Sequence, residues 1–161
     1  MKKVVLWLFV VFLGVTFGAG LYESRVVVPQ WTGAADGTPR WDPAAAREDD
    51  TGRRFWAFVT TGPLTLLTLA SLVLAWRASG PLRTWWLSAG VVALADRLFT
   101  FIYFIPTMVG LLDVPDSPAA RAAASRWEAL DWVRHGIVLV AWVLALKAFA
   151  TLYQTGHDSR R

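Results

Sequence analysis

The chain has 161 residues, of which 55% are hydrophobic and 17% are charged, whereas about 25% of the residues of a typical soluble domain are charged. This composition predicts a single membrane domain. The net charge of +4 is spread between the apolar segments, which argues against a nucleic-acid interface. The absence of cysteine excludes disulfides, thiol nucleophiles, iron–sulfur clusters and thiolate zinc sites.

The first apolar run predicts a spanning helix over residues 4–22. Its Lys2-Lys3 start and a Gly-Ala-Gly stretch at its end also fit a signal peptide with a small-residue cleavage site. We interpret the segment as a spanning helix. Gly14 and Gly18 form a small-xxx-small pair, which predicts close packing with a neighbouring helix.

Residues 23–54 break the apolar pattern with mixed charges and with helix-breaking residues: Pro29, Gly33, Gly37, Pro39 and Pro43. A connection of this length in so small a protein is often functional. We expect an extracytoplasmic loop or cap, with a short surface helix within residues 43–50.

Three further apolar runs predict spanning helices over residues 55–76, 84–111 and 125–150. Pro63 should kink the second helix, with Thr60, Thr61 and Thr65 close enough to bond the freed backbone groups. Pro106 should bend or end the third helix.

The fold class predicted is all-α, an integral membrane antiparallel four-helix bundle formed by a single domain of residues 1–161. Lysine and arginine gather beside one set of helix ends: Lys2, Lys3, Arg77, Arg83, Lys147, Arg160 and Arg161. Because cytoplasmic loops carry the excess of positive charge, both termini should be cytoplasmic. The expected location is the cell inner (cytoplasmic) membrane, with the lipid bilayer as the main partner.

Ionisable residues lie within the last two predicted helices, and counting outward from the cationic anchors puts them at one depth. A charged side chain near the centre of a spanning helix costs about 2.5 to 3.5 kcal/mol on insertion scales, so these groups need partners or a function. We predict crossed pairs, Asp96 with Arg134 and Asp131 with Arg97. His135 should open toward the outer vestibule of the bundle.

Two faces carry the remaining polar side chains. Glu128, Asp131 and His135 share one face of the fourth helix by their i, i+3, i+7 spacing, and Asp96, Thr100 and Tyr103 share one face of the third. These residues suit a pocket for a small lipophilic molecule in the outer half of the bilayer.

Two alternatives stay open. The acids and arginines can simply neutralise each other and fix the register of two helices, in a non-catalytic accessory or binding protein. A haem or metal carrier is the third class, although one helix rarely supplies three ligands to one ion. The sequence holds no serine–histidine–acid arrangement and no phosphate loop, which disfavours hydrolysis and phosphoryl transfer.

Three stretches carry a family resemblance. They are Gly18-Ala19-Gly20-Leu21 continuing to Pro29, Thr100-Phe101-Ile102-Tyr103-Phe104-Ile105-Pro106-Thr107-Met108 with Leu111, and Trp127-x-x-x-Asp131-x-x-Arg134. In these stretches the chain resembles the anthrone-oxygenase-like family of small four-helix membrane proteins. The resemblance implies oxidation of an anthrone or related phenol without a metal, flavin or other cofactor.

By this resemblance, site roles are expected as follows. His135 would be the base, Asp131 would orient it, and Arg134 or Arg97 would stabilise the enolate. The expected ligand-binding residues are Trp127, Trp132 and Tyr103 as walls, with Glu128, Asp96 and Thr61. The ligand would be a small hydrophobic aromatic molecule.

Overall fold

The computed structural model describes residues 2–33 and 37–158, with side chains up to residue 154, so Arg160 and Arg161 of the predicted cationic set lie outside the described residues. The described chain forms five helices: α1 (Lys2–Thr32), α2 (Pro43–Asp49), α3 (Gly52–Trp76), α4 (Gly80–Leu112) and α5 (Pro118–Asp158). The four long helices are long and apolar enough to cross a membrane. The protein is therefore an all-helical, multi-pass membrane helix bundle.

Each spanning helix is longer than its apolar run predicts. The largest extension at a single helix end is in α1, which continues to Thr32 instead of ending near residue 22. Residues 23–32 therefore belong to a spanning helix, and the polar connection between α1 and α3 is correspondingly shorter.

Three of the long helices contain a widened π-helical segment that ends just before a proline. The segments are Glu23–Val27 before Pro29, Gly52–Thr61 before Pro63, and Thr100–Phe104 before Pro106. At the end of each segment an N–H donates to the carbonyl five residues back: Val28 to Glu23, Gly62 to Ala57, and Ile105 to Thr100. Because proline has no N–H and its ring displaces a preceding carbonyl, the wider turn keeps the remaining backbone groups bonded.

The helices pack in the cyclic order α1, α3, α4, α5, each on two neighbours. One half of the bundle has a closely packed core rich in small residues: Leu6, Phe9, Leu13, Ala75, Ala89, Ala93, Ala141, Ala145 and Ala148. Gly14 contributes as predicted, since a Cβ there would lie 3.0 Å from the ring of Trp142. Gly18 has no atom within 4 Å of a Cβ position, so it does not share this role.

Cationic side chains collect at the end of this packed half. Lys2 Nζ donates to the carbonyl of Arg77 at 3.4 Å. Arg83 lies 4.9 Å from the ring of Trp76, and Lys147 lies 5.9 Å from the ring of Trp85. We call this end the basic end, and the opposite end, which carries α2, the capped end.

Helix α2 lies at the capped end, on the last turns of α1 and α4. Its N-terminus is capped by Asp42, which accepts from the N–H groups of Ala44 and Ala45. Trp41 is buried beside it and donates from Nε1 to the carbonyl of Leu111 at 3.0 Å. These bonds fix α2 as a cap on the bundle.

Candidate functional site

All four long helices carry buried polar side chains, several of them within the π-helical segments. Those within or nearest the segments are Thr16, Glu23 and Ser24 of α1, Thr60 of α3, Asp96, Arg97 and Thr100 of α4, and Asp131 and His135 of α5. Asp96 and Asp131 are each only 1% exposed. The charged side chains of Asp96, Arg97 and Asp131 in the last two helices are therefore buried inside the bundle, as expected.

Asp131 joins α1 to α5. Its Oδ2 accepts from Ser24 Oγ at 2.6 Å, and its Oδ1 lies 2.9 Å from the guanidinium of Arg134. A buried carboxylate needs such partners because burial removes it from water. Asp131 thus holds Arg134 in place and links the two helices.

The predicted crossed ion pairs are wrong. Arg97 pairs with its own neighbour Asp96, through Nε at 2.9 Å and through a second guanidinium nitrogen, and Arg134 pairs with Asp131 on the same helix. The long stem of an arginine lets its head fold back to an acid that leaves the helix in a different direction. Each pair lies within a single helix, the first in α4 and the second in α5. Neither pair therefore fixes the register of α4 against α5.

A cavity of about 620 Å³ lies between α2 and the π-helical segments of α3 and α4. Aromatic and aliphatic side chains form its walls, including Trp31, Trp56, Phe104, Met108 and Trp127. Arg97, Arg134, Glu23 and the hydroxyl residues Thr51, Thr61 and Thr100 supply its polar lining.

Four of the predicted site residues line the cavity, namely Arg97, Arg134, Trp127 and Thr61. The guanidinium of Arg134 lies 4.7 Å from the ring of Phe104 and 5.6 Å from that of Trp56, so aromatic faces hold this cation at the wall.

Six predicted site residues do not line this cavity: Asp96, Tyr103, Glu128, Asp131, Trp132 and His135. Asp96 and Asp131 lie behind the arginines that they bind. Tyr103 borders a separate recess with Thr107 and Arg126. Trp132 is exposed and lies 4.8 Å from the guanidinium of Arg25. Glu128 is partly buried.

His135 faces α1 instead of a vestibule. Its Nδ1 is 2.6 Å from the carbonyl of Asp131, and because a carbonyl can only accept, Nδ1 carries the proton. The Nε2 atom is buried without a hydrogen-bond partner among the described residues. A Cβ at Gly20 would lie 2.5 Å from it, so this glycine makes room for the imidazole.

Glu23 is the site residue that sequence reasoning missed. It is 7% exposed, lines the cavity, and accepts from Thr51 Oγ1 at 2.6 Å. The sequence pattern predicts a polar loop at Glu23 because the apolar run ends at Tyr22. The apolar residues Val26, Val27 and Val28 ahead of Pro29 are the signal that could have placed it inside a helix that continues.

Together, the fold and the site define a multi-pass membrane helix bundle with a partly polar cavity at one end. Comparisons of the chain with protein-family models, with curated proteins and with solved structures find no match. In the part of the chain that the structure describes, no three histidine, cysteine, aspartate or glutamate side chains come together as a metal-binding group.

Proposed function

We propose that the protein binds a small lipophilic molecule with an oxygen acceptor group in the cavity at the capped end. The observation that carries this proposal is that Arg97 and Arg134 line a space of about 620 Å³ with mainly aromatic and aliphatic walls. Small-molecule pockets are typically about 300 to 1,000 Å³, apolar, and equipped with few polar groups.

The arginines have donors to spare for such a ligand. A guanidinium has five N–H groups in a fixed plane, and the acid beside each arginine uses a part of them. A phenol, enol or quinone oxygen would accept from the remainder, while Trp127 and Phe104 would contact its ring. The hydroxyls of Thr61 and Thr100 add further hydrogen-bonding groups to the lining.

As the finer function we propose cofactor-independent oxygenation of an anthrone-type phenol. A base removes a proton from the substrate, and the enolate then reduces dioxygen, so that a CH₂ group becomes a carbonyl and the second oxygen atom leaves as water. The two cations would stabilise the enolate. Glu23, and not His135, is the base that we assign, because Glu23 lines the cavity and His135 does not.

The test is binding and oxygen uptake by the protein in lipid nanodiscs, with anthrone and alkyl hydroquinones as probes. We expect Glu23→Gln, which keeps an acceptor for Thr51, to lower oxygen uptake by about 100-fold or more while ligand binding is retained. Glu48→Gln, the matched change on the exposed face of α2, should leave uptake unchanged. Equal uptake in wild type and Glu23→Gln would contradict the assignment of the base.

A non-catalytic binding protein is the second candidate, and the pairing within each helix favours it. Each arginine is already neutralised by an acid of its own helix, so the charges are compatible with a resting protein that performs no reaction. Ligand binding without oxygen uptake would support this candidate. Absence of both would leave the ion pairs with a structural role and overturn the proposed site.

We also propose that the basic end faces the cytoplasm, with neighbouring helices antiparallel. The contacts of Lys2 with Arg77 and of Lys147 with Trp85 support this arrangement, because cytoplasmic helix ends are rich in lysine and arginine. The chain has no cysteine, so single cysteines can be introduced at Ser79 and Ser117. A membrane-impermeant maleimide added to intact cells should label Cys at 117 only; labelling at 79 would reverse the orientation.

A further inference from the structure

The cavity has two different rims. Next to α2 and at the adjoining ends of α3 and α4, charged residues border it: Arg47, Asp50, Arg53 and Asp113. Farther along the spanning helices, beyond the first turn of α3 and before the last residues of α4, the lining residues that are also exposed are apolar, namely Ala57 of α3 with Ile105 and Val109 of α4. Ile105 is 40% and Val109 57% exposed. We call the second rim the apolar rim.

The apolar rim exists because α3 and α4 pack together over part of their lengths. Their packing joins Gly62–Trp76 to Gly80–Phe99, in the half near the basic end. The π-helical segment Gly52–Thr61 packs instead on α1. Between Gly52–Thr61 and the part of α4 that follows Phe99 there is no comparable packing among the described residues, and Ala57, Ile105 and Val109 line the cavity where the two helices separate.

This gap lies within two membrane spans. Ala57 belongs to the span Gly52–Trp76, and Ile105 and Val109 belong to the span Gly80–Leu112. Apolar side chains exposed on spanning helices are stable against lipid tails, which are as apolar as leucine. An opening between them would admit molecules dissolved in the bilayer, whereas the charged rim lies at the ends of the helices, next to α2.

We propose that the cavity takes its ligand laterally from the bilayer, through the gap between α3 and α4. The ligand is then an amphiphile with an oxygen-bearing ring that reaches Arg97 and Arg134 and a hydrocarbon chain that passes the apolar rim into lipid. This inference rests on the proposed binding function and specifies the substrate class as a long-chain phenol or hydroquinone.

The geometry of the two rims explains why a chain-bearing ligand fits better than a compact one. A hydrocarbon chain lying beside Ile105 and Val109 stays in contact with apolar groups along its length, so none of its CH₂ groups has to enter water. At the charged rim the same chain would have to pass Arg53, whose side chain is 86% exposed, and Asp113, which is 85% exposed.

The test compares two hydroquinones that differ in chain length, one with a methyl and one with a pentadecyl substituent. Their association with the nanodisc-embedded protein is followed by quenching of tryptophan fluorescence, to which Trp31, Trp56 and Trp127 at the cavity contribute. Val109→Phe narrows the apolar rim. Ile102→Phe is the matched control, because Ile102 is 74% exposed on the same helix and does not line the cavity.

We expect Val109→Phe to slow association of the long-chain compound at least ten-fold and to leave that of the methyl compound unchanged, while Ile102→Phe affects neither. Ala57→Phe, on the opposite side of the gap, should reproduce the effect and serves if Val109→Phe does not fold. Equal rates for the long-chain compound in wild type and both rim variants would overturn lateral entry. Failure of both compounds to bind the wild-type protein would instead overturn the proposed binding function.

Discussion

The two halves of the bundle are built from the same four helices, yet only one of them is closely packed. Toward the basic end, Leu6, Phe9, Ala89, Ala145 and Ala148 are fully buried. Toward the capped end the helices enclose a cavity of about 620 Å³ beside buried charges. Neither amino-acid composition nor helix number accounts for this difference.

The difference follows from the regularity of the backbone. In the packed half α3 and α4 are uninterrupted α-helices, and small residues such as Ala89 and Gly90 let them approach closely; a Cβ at Gly90 would lie 2.8 Å from Leu72. In the capped half a π-helical segment precedes each of three prolines, which widens the helices there. A membrane bundle can therefore have one closely packed half and a cavity in the other, where prolines follow widened turns in three of its helices.

Removal of Asp131 should show how far the capped half depends on satisfied charges. Asp131→Ala leaves the mostly buried Arg134 without its ion-pair partner and Ser24 without an acceptor, so we expect a loss of about 3 to 5 kcal/mol in the free energy of unfolding, measured by SDS titration in mixed micelles. Asp113→Ala, which removes an exposed acid 3.9 Å from Arg47, should cost at most about 1 kcal/mol. Similar small losses for both variants would mean that the buried pair contributes little to stability.

Replacing an alanine by leucine should change the free energy of unfolding by different amounts in the two halves. Ala145→Leu adds volume where the side chain is 0% exposed, and overpacking of this kind costs about 1 to 3 kcal/mol. Ala57→Leu adds the same volume beside the cavity, where space is free, and should leave the free energy of unfolding within about 0.5 kcal/mol of wild type. Equal losses in the same unfolding assay would contradict the contrast between a packed and an open half.

The packed half was largely predictable because composition and apolar periodicity report directly on it. Long apolar runs predicted four spanning helices, and the structure has four helices long enough to span, although each extends beyond its run. The ends were missed because a helix can continue through charged residues such as Glu23 when these are buried against partners from other parts of the chain, here Thr51 just before α3. Partners of this kind are distant in sequence.

The wrong placement of Tyr103 at the site has a cause in the backbone, because a π-helical segment changes which residues share a face. Asp96, Thr100 and Tyr103 have the spacing of one α-helical face, but the widened segment begins at Thr100. One extra residue per turn rotates all later side chains by about 100°. Thr100 therefore lines the cavity while Tyr103 does not. On α5, which has no such segment in the described residues, Trp127 and Arg134 are seven residues apart and line it together.

Acid should destabilise the capped end but not the packed half. We expect this to be the smallest of the effects. The N–H of Ala45 lowers the pKa of Asp42, and hydrogen bonds from Arg121 lower the pKa of Asp116, both below the ordinary value of 3.8. For a carboxyl group whose folded-state pKa is lowered, the stabilisation is complete above the ordinary value and is lost as the pH falls through the folded-state pKa. Below pH 3.8, therefore, the cap on α2 and the bond from the N–H of Trp41 to Asp116 should weaken.

Amide hydrogen exchange, corrected for its intrinsic pH dependence, measures this effect. Protection of Pro43–Asp49 should fall in acid, while the amides around Ala141 and Ala145 in the packed half keep theirs. A double variant with Asp42→Asn and Asp116→Asn keeps acceptor oxygens but no titratable carboxyl, so its protection should be lower at neutral pH and change little in acid. Parallel loss of protection at both ends would mean that acid acts on the bundle as a whole, and the two halves would then not be separate units of stability.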